Sequence, residues 1–411
     1  MTLSANRDTS DTLFSILIGA AAEVRFPGLP ENRTLLIRSS SLGDFAVFLP
    51  FLASACKLRG DANVDLLLIS RFGDVASLLL RRNRYRIAMV DPSDIRTFLA
   101  SLIAARRTLR GQRYGEILYA AQNSDSAAYR FRKLAMVRLI AGMTPQTRGF
   151  APHPAIRTRR QLANTQSTLA TNQAMAPFVA CGMTPSATRE DVWRLLDISP
   201  AEFSAAKRAI TEVHSRSHRD ACVALYVHAK DERKRWPINR YAQVARRLLE
   251  NPDTRLCFVG GPADRAVTSE VISALSADSI KARHRIVNLA GSLSVRETIA
   301  ALSHCGLFVG NDGSPAHFAA LAGCSVLTLY CNWEVAGLWE PIAATQSLSL
   351  RPDSATVGDA GYGIDALAVD LVLRAIDSLR ATPVRHRIWT VGARDNYSER
   401  ITTDSPFATD G

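Results

Sequence analysis

Short hydrophobic runs alternate with longer segments of helical period through both halves of the chain. In the first half, the pattern predicts strands at Thr34–Arg38, Val64–Ile69, Ile87–Val90 and Ile117–Ala120. Helices are predicted between and after them, at 42–58, Val75–Arg82, Ile95–Leu109 and Ser126–Ala141. Strands that alternate with helices of this length are typical of a parallel sheet with helices on its faces.

A second series with the same alternation begins at Cys222. Its strands are predicted at Cys222–Val227, Arg255–Val259, Ile286–Leu289, Leu307–Val309 and Ser325–Leu329. Its helices are predicted at Tyr241–Leu249, Val267–Leu275, Val295–Leu302, Pro315–Leu321 and Ala366–Leu379. The sequence therefore predicts an α/β fold of two doubly wound, Rossmann-like domains.

The segment between the two series gives the domain boundary, which we expect near residue 195. A loop is expected at 149–166, and helices are expected at Leu169–Cys181 and Pro200–Val213. The predicted organisation is an N-terminal extension with an amphipathic helix at 1–32, a first domain at 33–195, a second domain at 196–380 and a polar tail at 381–411. The end of that tail has the composition of a disordered segment.

Seven cysteines are spread along the chain without any C-x-x-C pair. An odd number in this arrangement argues against a disulfide framework or a zinc site and fits a reducing compartment. We expect most of them to be small buried side chains. His214 and His218 have helical i, i+4 spacing, but no third ligand lies near them in the sequence. No metal and no cofactor are therefore expected.

One stretch, Leu13–Ala22, resembles a targeting signal. It follows Asp8 and Asp11 where a secretory signal would be positive, and Glu23 ends it too early for a membrane span. We interpret it as an amphipathic helix. The protein is expected in the cytoplasm, with peripheral contact at the inner face of the cytoplasmic membrane.

The net charge of +12 is concentrated in one region. Between Arg81 and Arg160 there are 17 Lys and Arg against 4 Asp and Glu. Such a region suits a nucleic acid, a phosphorylated substrate or an anionic membrane, and it also suits a solvated arginine-rich face. Charge alone leaves these alternatives open.

The strongest local signal is G-N-D-G-S-P-A-H, from Gly310 to His317, between an apolar strand and an Ala-rich helix. Ser314 is expected to cap the helix, and Pro315 to occupy its first position, where a missing N–H costs little. The free amides of that turn form an anion site where doubly wound domains bind nucleotides. Asp312 and His317 favour a ligand site over an ordinary turn.

Two further motifs contain charged residues that could take part in ligand binding or catalysis. Lys234 begins K-R-W-P after the strand Cys222–Val227, and a lysine there can reach a diphosphate at the helix start. Asp44 ends S-S-L-G-D after the first strand, where a carboxylate can accept a proton from a hydroxyl. Taken singly, Lys234 also fits a surface loop, and Asp44 fits a helix N-terminus favoured by the macrodipole.

In this order, the three motifs resemble the heptosyltransferase family, glycosyltransferase family 9, over roughly residues 33–380. Its members are inverting enzymes that move heptose from ADP-heptose onto lipopolysaccharide core. The resemblance implies a GT-B fold, in which two Rossmann-like domains face each other across the active-site cleft, with acceptor on the first and donor on the second. It also implies that Asp44 is the catalytic base. The implied donor-binding residues are Gly43, Lys234, Asp312, Gly313, Ser314, Pro315 and His317.

The chain departs from the family pattern at two places. Gly313 precedes Ser314 where the family has the hydroxyl residue directly after the aspartate, so hydroxyl contacts to the donor are expected one residue later. Cys331-Asn332-Trp333-Glu334 replaces a small Gly-Pro-Thr turn, and Trp333 would narrow the donor site or stack on a ring.

The implied reaction is metal-independent, since the cations take the place of a metal and the chain has no D-x-D motif. The expected partners are a nucleotide sugar and an anionic, lipid-linked saccharide. Four residues of the basic helix are candidates for contacting that acceptor: Arg130, Arg132, Lys133 and Arg138.

The sequence is also compatible with three other functional hypotheses. One is a transferase of the same fold that uses another nucleotide sugar or acceptor. A second is a nucleic-acid-binding protein whose aromatic residues stack on bases, although no nucleic-acid motif accompanies them; these residues are Tyr85, Tyr114, Tyr129 and Phe131. A third is an inactive nucleotide-sugar-binding scaffold, suggested by the order Gly313-Ser314.

Overall fold

The structure is a computed structural model, and it divides the chain into two compact units. One unit ends at Leu196 and the other begins at Asp197. The described residues are 33–39, 41–81, 85–110, 112–120, 127–141, 147–148, 187–214, 219–276, 280–331, 341, 346–352, 363–381, 386–391 and 397–401. The segments predicted at Leu13–Ala22, 149–166 and Leu169–Cys181 lie outside these residues.

The first unit contains a five-stranded parallel sheet in the order β3-β2-β1-β4-β5. Its strands are β1 (Thr34–Ser39), β2 (Val64–Ile69), β3 (Arg86–Val90), β4 (Glu116–Ala120) and β5 (Thr147–Arg148). Its helices are α1 (Leu42–Arg59), α2 (Val75–Leu79), α3 (Ile95–Leu109), α4 (Ala127–Ala141) and α5 (Arg189–Leu196). Every residue of β2 and β4 is buried, as expected for strands of a parallel sheet that helices cover on both faces.

Helices α3 and α4 cover one face of this sheet. Phe98, Leu102, Ala105 and Leu109 of α3 pack with Leu134 and Val137 of α4 against apolar residues of β1, β2, β3 and β4. The two helices also contact each other, since Arg106 Nη1 donates to the Leu139 carbonyl at 2.6 Å. They form a two-helix layer whose outer side is exposed to solvent.

The second unit contains an eight-stranded sheet in the order β13-β12-β11-β10-β9-β6-β7-β8. Its strands are β6 (Cys222–Tyr226), β7 (Arg255–Phe258), β8 (Ile286–Asn288), β9 (Leu307–Asn311), β10 (Ser325–Leu329), β11 (Gln346–Pro352), β12 (His386–Val391) and β13 (Tyr397–Ile401). Its helices are α6 (Pro200–His214), α7 (Ile238–Leu249), α8 (Arg265–Ser276), α9 (Val295–Leu302), α10 (Ser314–Ala322) and α11 (Val369–Ala381). All neighbouring strands are parallel except β12 and β13.

Both units reverse their strand order at one place. In the first unit, β1 lies between β2 and β4; in the second, β6 lies between β7 and β9. Successive connections therefore leave the middle strand in opposite directions, which is the Rossmann arrangement. The C-terminal ends of β1 with β4, and of β6 with β9, are the positions where such folds bind ligands.

The C-terminal segment is part of the second unit. A separate polar tail was expected from 381, but His386–Val391 pairs with β11, and Tyr397–Ile401 pairs with β12. Neither segment has a continuous apolar run or a regular alternation of polar and apolar residues, so the sequence pattern did not single them out as strands. Within the described residues, no helix combines the length and hydrophobicity required to cross a bilayer.

Candidate functional site

The helix α10 begins directly beyond the switch point between β6 and β9. Gly313 is its N-cap residue, Ser314 opens the helix and Pro315 follows, so the predicted cap at Ser314 is displaced by one residue. Gly313 is extended, with φ of 172°, and gives no side-chain cap. The first-turn amides of α10 therefore carry the partial positive charge of a helix N-terminus at this sheet edge.

Gly310 in β9 and Gly313 in the turn that follows leave room for the side chain of Tyr226 at the end of β6. A Cβ at Gly310 would lie 2.8 Å from Tyr226 Cβ, and one at Gly313 would lie 3.1 Å from Tyr226 Cε1. Burial raises the pKa of the Tyr226 hydroxyl, and the negative charges of Asp264 and Asp312 raise it further. The phenol is therefore a neutral hydrogen-bond donor placed near two carboxylates.

An ion pair joins two of the sequence motifs at this turn. Lys234 Nζ lies 2.6 Å from Asp312 Oδ2, although the residues are 78 positions apart. Both side chains are mostly buried, with 20% of Lys234 and 13% of Asp312 exposed. The structure thus places the predicted diphosphate-binding lysine beside the first turn of α10.

Asn311 holds the lysine loop against the end of β9. Its fully buried Oδ1 accepts from the Trp236 backbone N–H at 3.2 Å and from the Tyr241 hydroxyl at 2.9 Å. The Trp236 indole N–H donates to the Leu367 carbonyl at 2.9 Å. Trp236 is therefore a core residue that fixes the path of the loop 234–237, a role that the motif alone did not reveal.

A second carboxylate lies at the same edge, in the turn after β7. Asp264 Oδ2 accepts from the Gly261 N–H at 2.7 Å, and Asp264 Oδ1 lies 2.5 Å from His228 Nδ1. A Cβ at Gly260 would lie 2.7 Å from Asp264 Oδ2, so glycine is required there. Asp264 and His228 were not predicted from the sequence, in which the Gly-Gly pair at the end of a predicted strand was the available signal.

His317 lies on the first turns of α10 and is buried, with 7% of its surface exposed. Together with Asp312, Gly313, Ser314 and Pro315, it belongs to the segment that follows β9. The predicted donor-binding residues of the second unit are thus gathered at the C-terminal edge of one sheet. Trp333 lies outside the described residues.

In the first unit, Asp44 lies in the first turn of α1, beyond the end of β1. Asp44 Oδ2 accepts from the Ser41 hydroxyl at 2.8 Å and from the Ser41 N–H at 3.1 Å, which completes a capping box. Buried Arg38 donates to the Ala120 carbonyl at 3.0 Å and to the Asp44 carbonyl at 3.4 Å. Gly43 is buried beside Asp44 in the same turn.

The four predicted acceptor contacts on α4 do not share one exposed surface. Arg132 and Arg138 are exposed, whereas Arg130 and Lys133 are buried, with 5% and 6% of their surfaces exposed. Helical period explains the split, because positions 130 and 133 lie on the side of Val137 and the core. A basic face on α4 can include only the first two.

Two of the four aromatic residues proposed to stack on bases are buried. Tyr85 and Tyr114 are each 3% exposed, and the Tyr114 hydroxyl donates to Asp65 at 2.7 Å. Phe131 is exposed, and the side chain of Tyr129 lies outside the described part of the chain. Tyr85 and Tyr114 are therefore not available to stack on bases.

Three cysteines meet beside β6 and β7 in the second sheet. Cys222 Sγ lies 3.5 Å from Cys257 Sγ and 3.2 Å from Cys305 Sγ. The three sulfur atoms lie within 4.8 Å of one another, close enough to ligate one ion. However, contact with Cys222 raises the pKa of the Cys257 and Cys305 thiols, and metals bind thiolates.

All six cysteines of the described residues are buried, which agrees with the expectation of buried side chains, and none of these six is in a disulfide; Cys181 lies outside the described residues. The grouping itself was not predicted, because 35 and 83 positions separate its members. The side chain of His214 and the whole of His218 also lie outside the described part.

The fold and these switch-point sites define a two-unit, Rossmann-like α/β protein. A family model described as glycosyltransferase family 9 (heptosyltransferase) matches residues 102–355, more than half of the chain. The chain therefore belongs to this family, which confirms the resemblance inferred from the three motifs. The match includes Lys234 and the segment after β9, whereas Asp44 lies before it.

Solved structures with the same fold include a family 9 glycosyl transferase from Veillonella parvula DSM 2008, 16% identical, with a TM-score of 0.62 over 87% of this chain and 98% of that one. E. coli ADP-heptose lps heptosyltransferase II is 16% identical, with a TM-score of 0.53 over 84% and 98%. E. coli heptosyltransferase WaaC with ADP-2-deoxy-2-fluoro heptose is 15% identical, with a TM-score of 0.54 over 84% and 99%. These likenesses confirm the predicted GT-B fold class. No match was found among curated proteins.

Proposed function

We propose that this protein is an inverting, metal-independent glycosyltransferase that moves a sugar from a nucleotide donor on the second unit to an anionic saccharide on the first. The proposed donor is ADP-heptose, because the chain belongs to the heptosyltransferase family and its structural relatives are named for that donor. The proposed acceptor is a lipid-linked saccharide such as lipopolysaccharide core. The reaction then takes place with peripheral contact at the inner face of the cytoplasmic membrane.

The ion pair between Lys234 and Asp312 is the observation that carries this proposal. It holds the Lys234 ammonium group at the turn that leads into α10, where the ammonium hydrogens that Asp312 does not accept and the first-turn amides can donate to an anion. When the sugar leaves a nucleoside diphosphate, negative charge grows on the phosphates. A cation and amides already in place stabilise that charge without reorganisation, so no metal is required.

Asp264 suits the hydroxyl groups of the nucleoside. In doubly wound domains, a carboxylate near the end of the second strand hydrogen-bonds the ribose hydroxyls, and Asp264 follows β7, the second strand of its unit. The Gly261 N–H and His228 orient its two oxygens. Tyr226, whose hydroxyl is neutral, is suited to donate to a phosphate or sugar oxygen.

Asp44 is the proposed base that removes the acceptor proton as the hydroxyl attacks the anomeric carbon. The Ser41 hydroxyl and amide both donate to Asp44 Oδ2, so these hydrogen bonds orient the carboxylate. A carboxylate offers about four acceptor positions, which leaves the capping box compatible with proton transfer. Inversion needs only this single displacement and no covalent sugar intermediate.

The proposal is tested by measuring transfer from ADP-heptose to a deacylated lipopolysaccharide core acceptor. We expect turnover by the wild type, a large loss for Lys234→Ala, and near-normal turnover for Lys230→Ala, an exposed lysine on the same loop. A thermal-shift comparison of ADP-, UDP-, GDP- and TDP-linked sugars identifies the donor, because a bound ligand raises the melting temperature. Donor binding with neither transfer nor hydrolysis would indicate an inactive scaffold.

A further inference from the structure

Helix α3 carries two apolar stripes, and only one of them faces the core. Phe98, Leu102 and Leu109 pack in the first unit. The second stripe, at positions i, i+4 and i+8, consists of Ile95, Leu99 and Ile103, whose surfaces are 70%, 50% and 54% exposed. One exposed leucine is ordinary on a protein surface, but an aligned row of three is a feature that a monomer in water does not need.

Helix α4 widens this apolar surface. Phe131 and Leu139 on its outer side are also exposed, and Arg106 of α3 contacts the Leu139 carbonyl. We call the outer side of these two helices the α3–α4 face. Among the described residues, the large hydrophobic side chains that are exposed number nine, and five of them lie on this face.

Arginines surround the apolar residues of the α3–α4 face. Six of them are exposed: Arg96, Arg106, Arg107, Arg110, Arg132 and Arg138. The sequences of α3 and α4 contain no acidic residue. The nearest carboxylate along α3 is Asp94, which caps the helix by accepting from the Arg96 and Thr97 N–H groups.

We propose that the α3–α4 face docks on the surface of an anionic phospholipid bilayer. An amphipathic helix with large aliphatic side chains flanked by arginines, lying in the plane of the interface, is the arrangement that partitions into the headgroup region. The aliphatic stripe reaches the acyl boundary, while the arginines stay with the phosphates. This gives the membrane contact proposed above a defined surface.

A nucleic acid fits the same charge less well. Phosphates of RNA would pair with the arginines, but Ile95, Leu99 and Ile103 would gain nothing from a polar backbone. Two of the four aromatic residues considered for stacking on bases, Tyr85 and Tyr114, are buried. The observation that separates the two partners is therefore the aliphatic stripe.

The test measures binding of the full-length protein to vesicles without any nucleotide sugar, so its outcome is independent of the sugar chemistry. Vesicles of phosphatidylcholine with roughly one third phosphatidylglycerol should bind the protein, and vesicles of phosphatidylcholine alone should bind it at least about tenfold more weakly. Raising salt from about 0.1 M to about 0.5 M should weaken binding to the anionic vesicles, because screening shortens the reach of the arginines.

Two sets of variants separate the aliphatic and the electrostatic contributions. The triple variant Ile95→Ser, Leu99→Ser, Ile103→Ser keeps every charge and should lower vesicle binding about tenfold or more. The variant Arg96→Gln, Arg107→Gln, Arg110→Gln should lower it and reduce its salt dependence. The matched control changes Leu58, Phe72 and Leu78, which are exposed in the same unit outside the α3–α4 face, to serine and should bind like the wild type.

Circular dichroism and melting temperature confirm that each variant is folded. Equal vesicle binding by the aliphatic variant and the wild type would overturn the proposal. An equal loss of vesicle binding in the control variant would overturn it as well. RNA binding at the same salt without vesicle binding would assign the face to a nucleic acid. A dimer that the aliphatic variant converts to a monomer, again without vesicle binding, would assign it to a second copy of the chain.

Discussion

Asp44 and Asp312 both follow a strand beside the switch point of their unit, yet they are held in different ways. Asp44 is oriented by Ser41, three residues away, within the first turn of its own helix. Asp312 is paired with Lys234, which comes from a loop 78 residues away. The ion pair with Asp312 fixes the position of the Lys234 ammonium group, whereas the hydrogen bonds from Ser41 fix the orientation of the Asp44 carboxylate. The difference favours Asp44 as the base and Asp312 as the anchor of a phosphate-binding lysine.

The two units also differ in how many large hydrophobic side chains they expose to solvent. Among the described residues, eight of the nine exposed large hydrophobic side chains lie before Leu196, and only Phe203 lies in the second unit. The second unit uses its polar residues in buried contacts at the end of its sheet, such as those to Asn311. We infer that the first unit meets its partners through an outer surface, and the second through a preformed site.

The largest expected effect concerns Asp44. Asp44→Asn should lower kcat about 10² to 10⁴-fold, because proton removal by a placed base contributes a factor of this size. Donor affinity and melting temperature should change little, since asparagine can still accept from Ser41.

The control for Asp44 is Ser41→Ala, which removes the capping partner but leaves the carboxylate. It should cost about 1 kcal/mol of unfolding free energy and far less activity. Steady-state transfer kinetics and urea unfolding of both variants check this. Similar activity losses in the two would make Asp44 a helix-capping residue and would remove its contrast with Asp312.

Periodicity predicted most of the fold because the core strands are buried on both faces. Val64–Ile69, Ile95–Leu109, Val295–Leu302 and Ser325–Leu329 have the predicted bounds. The strand β11 was missed, because Ser347 and Ser349 interrupt its apolar run although both are buried. Tertiary context, not local hydrophobicity, makes this segment a strand.

The next prediction concerns Asn311, whose buried hydrogen bonds to Trp236 and Tyr241 are an example of the buried polar contacts of the second unit. Asn311→Ala should lower the unfolding free energy by about 2–4 kcal/mol, because the buried Trp236 N–H and Tyr241 hydroxyl both lose their acceptor. Tyr241→Phe removes one donor and leaves Asn311 bonded to Trp236, so it should cost about 1 kcal/mol. Denaturant unfolding measures both. Equal costs would mean that Asn311 does not anchor the loop.

Site residues could be predicted only where a short sequence motif itself contained a charged side chain suited to catalysis or ligand binding. Lys234 and Asp312 could each be proposed from the sequence, but the sequence did not show that they touch. Trp236 lies in the K-R-W-P motif and is a core residue, because its indole reaches Leu367 on a distant segment. His228 and Asp264 meet only after β6 and β7 pair, so neither looked functional alone.

A smaller effect is expected for Lys234, and it should differ between a nucleoside diphosphate and a nucleoside monophosphate. Lys234→Ala should raise the Kd of ADP about tenfold and that of AMP less, because the ammonium is placed for the phosphate nearer the sugar. Arg233→Ala removes a neighbouring cation that pairs with Asp231 and is largely exposed, so it should leave both constants near the wild type. Isothermal titration measures all four. Equal losses for ADP and AMP would assign Lys234 a structural role.

The last prediction compares two ion pairs that each join a helix to its unit. In the first unit, Lys57 of α1 lies 3.2 Å from Asp191 of α5, and 46% of the lysine side chain is exposed. In the second, Arg296 of α9 lies 2.7 Å from Glu202 of α6, with both side chains mostly buried. Exposed pairs contribute little, so the second pair should matter more.

The pH dependence follows from the pKa of Glu202. Partial burial opposes its charged form, but hydrogen bonds from Ser199 and the ion pair with Arg296 lower the pKa to about 2, from an ordinary value of 4.5. A lowered pKa gives stability that is fully present above the unfolded value and is lost as the pH falls from about 4.5 to about 2. Glu202→Gln should therefore cost about 1 kcal/mol at pH 7 and almost nothing near pH 2. Asp191→Asn should also lower the unfolding free energy at pH 7 more than at low pH, but by a smaller amount. Urea unfolding of both variants across this pH range measures the two effects. If the two variants lose equal stability, the second unit does not depend more on its ion pair than the first.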